Sequence, residues 1–256
     1  NDAPTASNNT VTTNEDTDHT FSASEFGFTD VDGDSLDHVS IETLPSNGTL
    51  LLSGSAVSAG DQISAANISN LVFRPAANAN GASYDTFTFT VNDGTTDSAS
   101  SYTMTVNVTA VNDAPTASNN TVTTNEDTDH TFSASEFGFT DVDGDSLDHV
   151  SIETLPSNGT LLLSGSAVSA GDQISAANIS NLVFRPAANA NGASYDTFTF
   201  TVNDGTTDSA SSYTMTVNVT AVNDAPTVVN DTDSVTEGGT VIETTNSAGT
   251  VLSDDS

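Results

Sequence analysis

Apolar and polar residues alternate one for one through Thr86-Phe87-Thr88-Phe89-Thr90-Val91 and again through Tyr102-Thr103-Met104-Thr105-Val106-Asn107-Val108. Successive side chains of a strand point to opposite faces, so a period of two predicts strands with one packed face and one wet, Thr-lined face. Val39 with Ile41, Leu50 to Leu52, and Leu71 with Phe73 supply further short strands, and an earlier one ends before Glu15. Pro45-Ser46-Asn47-Gly48 and Asn92-Asp93-Gly94 bring turn residues between them. Ser64 to Ile68 suffices for a single helical turn, and no longer amphipathic helix is predicted. About seven short strands in this stretch predict an all-β Greek-key sandwich. Phe21, Phe26, Phe28, Phe73, Phe87 and Phe89 are expected in its core rather than around a binding pocket.

The same pattern then starts again. Residues 1–111 recur without substitution as residues 112–222, and a third copy opens at Asn223-Asp224-Ala225-Pro226-Thr227 before diverging. A unit of this length is a domain rather than a solenoid turn. The expected organisation is repeat 1 at 1–111, an identical repeat 2 at 112–222, and the truncated start of a third, divergent repeat at 223–256. Duplication that adds length without changing a residue suits a protein whose reach is useful.

Composition adds what the pattern does not say. Thirty-five acidic residues stand against two basic ones, Arg74 and Arg185, giving a formal charge of −33. Such a field disfavours nucleic acid and anionic membranes, because phosphate binding requires clustered Lys and Arg. No run of 18 apolar residues occurs, so no membrane insertion is expected in this segment. The N-terminus lacks the basic and apolar stretches of a signal peptide, and the chain is expected to be cut from something longer. With no Cys, the sandwich has no disulfide and no thiolate site, and lacks the Cys, Trp, Cys signature of antibody-type immunoglobulin domains. Leu, Ile, Val and Phe make up only 24 of the 111 residues of a repeat, which also carries 14 acids against one Arg. Something must offset that charge.

The acids are grouped. Glu15-Asp16 follows the first strand, Asp30, Asp32 and Asp34 share one loop, Asp93 ends the Phe87 strand, and Asn112-Asp113 lies between repeats. The second repeat carries the same groups at Glu126-Asp127, at Asp141, Asp143 and Asp145, at Asp204, and at Asn223-Asp224. Carboxylates crowded at loop ends repel one another unless a hard cation fills the gap, and Ca2+ takes six to eight oxygen ligands. An EF-hand is excluded, because Ile41 stands where loop position twelve requires Glu and no flanking helices are predicted. The Gly-rich nonapeptide of calcium-binding β-rolls is also absent.

The order NEDT (14–17), TDVDGDSL (29–36), PSNGTL (45–50), FRPAANANG (73–81), DTFTFTVNDG (85–94) and VTAVNDAPT (108–116) resembles the cadherin-like tandem repeats of very large bacterial surface proteins, the biofilm and RTX-type adhesins. The resemblance covers both repeats. It implies tandem cadherin- or immunoglobulin-like sandwiches with calcium between neighbours, and no other partner for the segment, which is expected to be monomeric. At the first junction the implied ligands are Glu15, Asn112, Asp113, Asp141, Asp143 and Asp204; at the second they begin with Glu126, Asn223 and Asp224. Glu237 keeps the Glu position in the third unit. Where cadherins carry an acidic segment, this chain has only Asn78 and Asn80, which implies fewer ions per junction. Val235 to Val241 resembles a second extracellular repeat type of the same adhesins. The implied role is a calcium-stiffened spacer in a secreted or cell-surface adhesin of a Gram-negative bacterium, acting in cell adhesion and biofilm formation. Two alternatives are repeats that are themselves adhesive, by glycan or homophilic contacts, and accessory modules of a secreted enzyme.

Catalytic motifs are missing. His19 and His38, the only His residues of a repeat, each follow an Asp (Asp18, Asp37). Neighbours along a strand face opposite ways, so the His are expected to be exposed and to build no relay. No GxSxG elbow, HExxH or phosphate loop occurs, and the chain is expected not to be an enzyme.

Overall fold

The computed structural model describes residues 1–226, so the expectations for Glu237 and Val235 to Val241, and most of the expected third repeat, fall outside the described residues. The chain divides into two compact units, Asn1–Asp113 and a second starting at Ala114. Each is all-β.

Unit 1 holds β1 (Asn9–Asn14), β2 (His19–Thr20), β3 (His38–Thr43), β4 (Thr49–Leu52), β5 (Ser55–Ala56), β6 (Gln62–Ser64), β7 (Leu71–Arg74), β8 (Gly81–Asn92) and β9 (Tyr102–Thr109). Seven have three residues or more; β2 and β5 are two-residue pairs. One sheet has the order β1-β9-β8-β3-β6 and the other β2-β7-β4-β5. The chain passes repeatedly from one sheet to the other, and β1 closes the larger sheet by pairing parallel to β9, from Asn9 opposite Met104 to Asn14 opposite Thr109.

The alternation read from the sequence decides what each sheet buries. Phe87, Phe89 and Val91 of β8 and Met104 and Val106 of β9 are fully buried, while Thr86 of β8 faces solvent and Thr88 and Thr90 are half-buried. They meet Phe21, Phe73, Leu50 and Leu71 from the other side. Phe21 packs edge-on to Phe87, with ring centroids 5.6 Å apart, and Phe26 edge-on to Phe89 at 4.9 Å. Phe28 is only partly buried against this cluster. The turn expected near Ser64 is a 3-10 helix at Ala65–Asn70. A second one, Ala23–Phe26, was not expected; Ser22 and Glu25 form a capping box there, and it seats Phe26 in the core.

Unit 2 repeats the arrangement. It holds β10 (Asn120–Asn125), β11 (His130–Thr131), β12 (His149–Thr154), β13 (Gly159–Leu163), β14 (Ser166–Ala167), β15 (Gln173–Ser175), β16 (Leu182–Pro186), β17 (Gly192–Asn203) and β18 (Tyr213–Thr220). Its sheets run β10-β18-β17-β12-β15 and β11-β16-β13-β14. Among the described residues no helix is long and apolar enough to cross a membrane.

Candidate metal centre

Strand direction sorts the acids of unit 1 into two ends. β8 runs from Gly81, beside Asn80 and Glu15, to Asn92, beside Asp93 and the loop of Asp30. Its twelve residues separate the two groups by about 35 Å at about 3.3 Å per residue.

At the upper end, Asp30, Asp32 and Asp34 bring one carboxylate oxygen each within 4.8 Å of the others. The loop folds around Asp30: its Oδ1 accepts the N–H of Asp32 (2.8 Å) and of Asp34 (3.1 Å). Its Oδ2 is buried and has no hydrogen-bond partner. Asp32 Oδ2 accepts the N–H of Asp2 (2.6 Å), and Asp93 Oδ2 accepts Asn1 Nδ2 (2.9 Å). Asp93 Oδ1 caps the turn after β8 by accepting the N–H of Thr95 and of Thr96, each at 2.7 Å. The Asn1 amide, followed by the Thr96 N–H, holds the Asp93 carboxyl below the usual carboxylate range. Asn1-Asp2 occupies in this repeat the place of Asn112-Asp113 in the next, so unit 1 gathers on its own an Asn-Asp pair, an Asp loop and a later Asp.

Unit 2 builds the same loop. Asp141 Oδ1 accepts the N–H of Asp143 (2.9 Å) and of Asp145 (3.0 Å), and its Oδ2 is buried without a hydrogen-bond partner. Asp204 is buried, its Oδ1 taken by the N–H groups of Thr206 and Thr207. Asn112 Nδ2 donates to Asp113 O and Asn223 Nδ2 to Asp224 O, each at 2.9 Å.

Glu15 and Asp16 lie at the lower end. Glu15 is 3% exposed; its Oε1 accepts the N–H of Val111, the residue before Asn112, and its Oε2 accepts Asn80 Nδ2 (3.1 Å). Asp16, in the left-handed region at φ 54°, accepts the N–H of Asn78 (3.1 Å). Glu126 and Asp127 repeat these bonds with Val222, Asn191 and Asn189. Within a unit, then, the Glu-Asp pair and the Asp loop do not share a site.

The upper donor set is all oxygen, and it includes a carboxylate oxygen that the fold leaves buried and unanswered. Both features suit a hard cation such as Ca2+, which would offset the clustered negative charge of Asp30, Asp32, Asp34 and Asp93.

Two features escaped the sequence reading. Asp85 is 5% exposed and sits under the Pro45–Gly48 turn, where Oδ1 accepts the N–H of Ser46 (2.9 Å) and of Thr86 (2.9 Å) and Oδ2 those of Asn47 (2.7 Å) and Gly48 (2.8 Å). Burial alone would raise its pKa, but these N–H bonds outweigh it and hold the carboxyl below the usual range. The His residues are also not exposed as expected. His38 and His19 keep only 14% and 17% of their side-chain surface, and His38 Nδ1 lies 2.8 Å from Asp37 Oδ2. Asp37 precedes β3 rather than lying in it, so strand alternation does not turn it away.

A family model described as Bacterial Ig domain matches residues 1–109 and again 112–220. No curated protein sequence matches the chain. Among solved structures, Drosophila N-cadherin EC1-4 aligns at 15% identity over 85% of this chain and 49% of its own, with a TM-score of 0.43. An extracellular fragment of protocadherin gamma B7 aligns at 12% identity over 86% and 52%, with a TM-score of 0.40. An endo-fucoidan hydrolase of glycoside hydrolase family 107 aligns at 18% identity over 86% and 29%, with a TM-score of 0.30. The chain thus spans between 29% and 52% of these solved chains.

Proposed function

The chain belongs to the bacterial Ig domain family, and from that premise we propose that its repeats are a calcium-stiffened, non-catalytic spacer in an extracellular adhesin. The observation that carries the calcium reading is Asp30 Oδ2, and its counterpart in Asp141, buried without a hydrogen-bond partner amid two further carboxylates. Burying an unanswered anionic oxygen is costly, and a hard divalent cation removes that cost. The grouping of Asn1, Asp2, Asp32 and Asp93 around the same loop supports a site that draws on the linker as well as the sandwich. Applied to the first linker, this assigns Asn112, Asp113, Asp141, Asp143 and Asp204 as ligands, with Asp145 beside them. Glu15 and Glu126 fasten Val111 and Val222, one residue ahead of each Asn-Asp pair, and so hold the linker's start to the preceding sandwich. Neighbouring repeats are the partners that such an ion joins, and the surface of a Gram-negative cell, in adhesion or biofilm formation, is the setting proposed.

The spacer reading rests on identity of the two repeats: no surface residue differs between them, as suits selection for length. X-ray scattering of the chain in millimolar calcium and in chelator tests it. An extended, narrowly distributed particle with calcium and a broader distribution without it is expected; identical profiles overturn the reading. Half-saturation falls at about 0.1–1 mM calcium, and Mg2+ substitutes poorly because it prefers six near-ideal ligands and gives up water reluctantly.

A further inference from the structure

Each unit contains two Asn-Gly steps, and the fold treats them differently. At Asn47-Gly48 the N–H of Asn47 and that of Gly48 both donate to Asp85 Oδ2, and Asn47 Nδ2 donates to Tyr84 O (3.0 Å). A Cβ on Gly48 would lie 2.3 Å from the Phe73 ring, so the turn is clamped from below as well. At Asn80-Gly81 the Asn is exposed in the loop ahead of β8, and a Cβ on Gly81 would meet nothing within 4 Å. The β8–β9 pairing is irregular between Gly81 and Asp85. Asn80 Nδ2 rests on Glu15 Oε2. Unit 2 repeats the contrast between Asn158-Gly159, bound to Asp196, and Asn191-Gly192, with Asn191 on Glu126.

We infer that Asn80 and Asn191 are sites of spontaneous conversion to aspartate or isoaspartate, and that the conversion places a second carboxylate beside Glu15 and Glu126. The Gly81 nitrogen, giving its proton to solvent base, attacks Asn80 Cγ. The Cγ–Nδ2 bond breaks and Nδ2 leaves as ammonia, which closes a five-membered imide. Water then opens the imide at either carbonyl, so that one amide and one water become one carboxylate and one ammonium. Gly is the residue that permits this, because it has no side chain to block the attack and bends freely into the ring geometry. At Asn47 the same attack is stopped by the bonds that pin the Gly48 nitrogen to Asp85.

The consequence rests on the calcium reading above; the chemistry does not. A donor on Glu15 is replaced by a like charge, which weakens the calcium-free fold, while a cation at that end gains a charged oxygen ligand. The test ages the chain at mildly alkaline pH and maps it with an acid-specific protease. The repeats give identical peptides, so Asn80 and Asn191 are read as one signal and Asn47 and Asn158 as another. The first signal is expected to convert about tenfold faster or more, the rate equivalent of one net hydrogen bond. Equal rates overturn the inference. Thermal unfolding of fresh and aged chain, with calcium and with chelator, then reads the consequence. Ageing is expected to lower the chelator midpoint and enlarge the calcium increment, and an aged Asn80→Gln/Asn191→Gln chain is expected to do neither. An unchanged increment in a chain that does bind calcium removes the ligand role. No calcium response in any sample removes it together with the spacer reading, while the peptide map still decides the conversion.

Discussion

Asp85 and Asp30 both present buried carboxylate oxygens, and unit 1 treats them in opposite ways. Asp85 is answered completely from within the fold: four backbone N–H groups, from Ser46, Asn47, Gly48 and Thr86, divide its two oxygens between them. Asp30 is answered by half, its Oδ1 organising the loop while its Oδ2 stays buried without a hydrogen bond. The first carboxylate is a structural anion that pins the turn between β3 and β4, where the chain passes from one sheet to the other, to β8. The second, with one buried oxygen left without a hydrogen bond, is the feature on which the proposed cation site rests. In a protein with 35 acids and two basic residues, counting charge does not distinguish them; the donors around each oxygen do.

The sharpest way to break the contrast is to remove both carboxylates in turn, with and without calcium. Asp85→Ala strands four N–H groups beneath the turn, and buried donors left unpaired cost about 1–3 kcal/mol each, less where water reaches them. A loss of about 3 kcal/mol for unit 1 is expected, the same in calcium and in chelator, as measured by denaturant unfolding. A loss confined to calcium solutions would make Asp85 a metal ligand instead.

Asp30→Asn together with Asp141→Asn should show the opposite dependence. One calcium site at a hundredfold excess over its dissociation constant stabilises by about 2.7 kcal/mol, and most of this should vanish. In chelator the variant should be no less stable than the parent, because one like charge per loop has gone. Equal destabilisation in both conditions would make the loop a structural turn.

What the sequence made legible follows the range of the interaction. The strict alternation in β8 and β9 is a local signal, and it placed Phe87, Phe89, Val91, Met104 and Val106 inward. Strands β2 and β5, two residues each, are too short to show any period. The Ser22-x-x-Glu25 box was a readable sign of the Ala23–Phe26 turn. Asp30, Asp32 and Asp34 stood out because they crowd within one loop. The contact of Asn1 with Asp93 joins residues 92 apart, and only the family resemblance hinted at it. Asp85 was invisible for the same reason: its donors in the turn lie 37 to 39 residues away, so two motifs noticed separately are the two halves of one contact.

The smallest effect expected is one of pH, and it sharpens the comparison without touching the metal. The folded-state pKa of Asp85 lies below its unfolded value, since the four N–H bonds favour the charged form more than burial disfavours it. Its contribution is therefore fully present above the unfolded value of about 3.9 and is lost as pH falls from there through the folded value. In chelator, where no calcium site adds its own proton linkage, unit 1 should lose stability below about pH 4. Asp85→Asn keeps the shape, carries no charge, and turns one amide group toward backbone donors. It should therefore be less stable than the parent near neutrality and approach it as the pH drops, with a flatter acid limb. Parallel curves for parent and variant would mean that Asp85 titrates alike folded and unfolded, and that the turn holds it by shape alone.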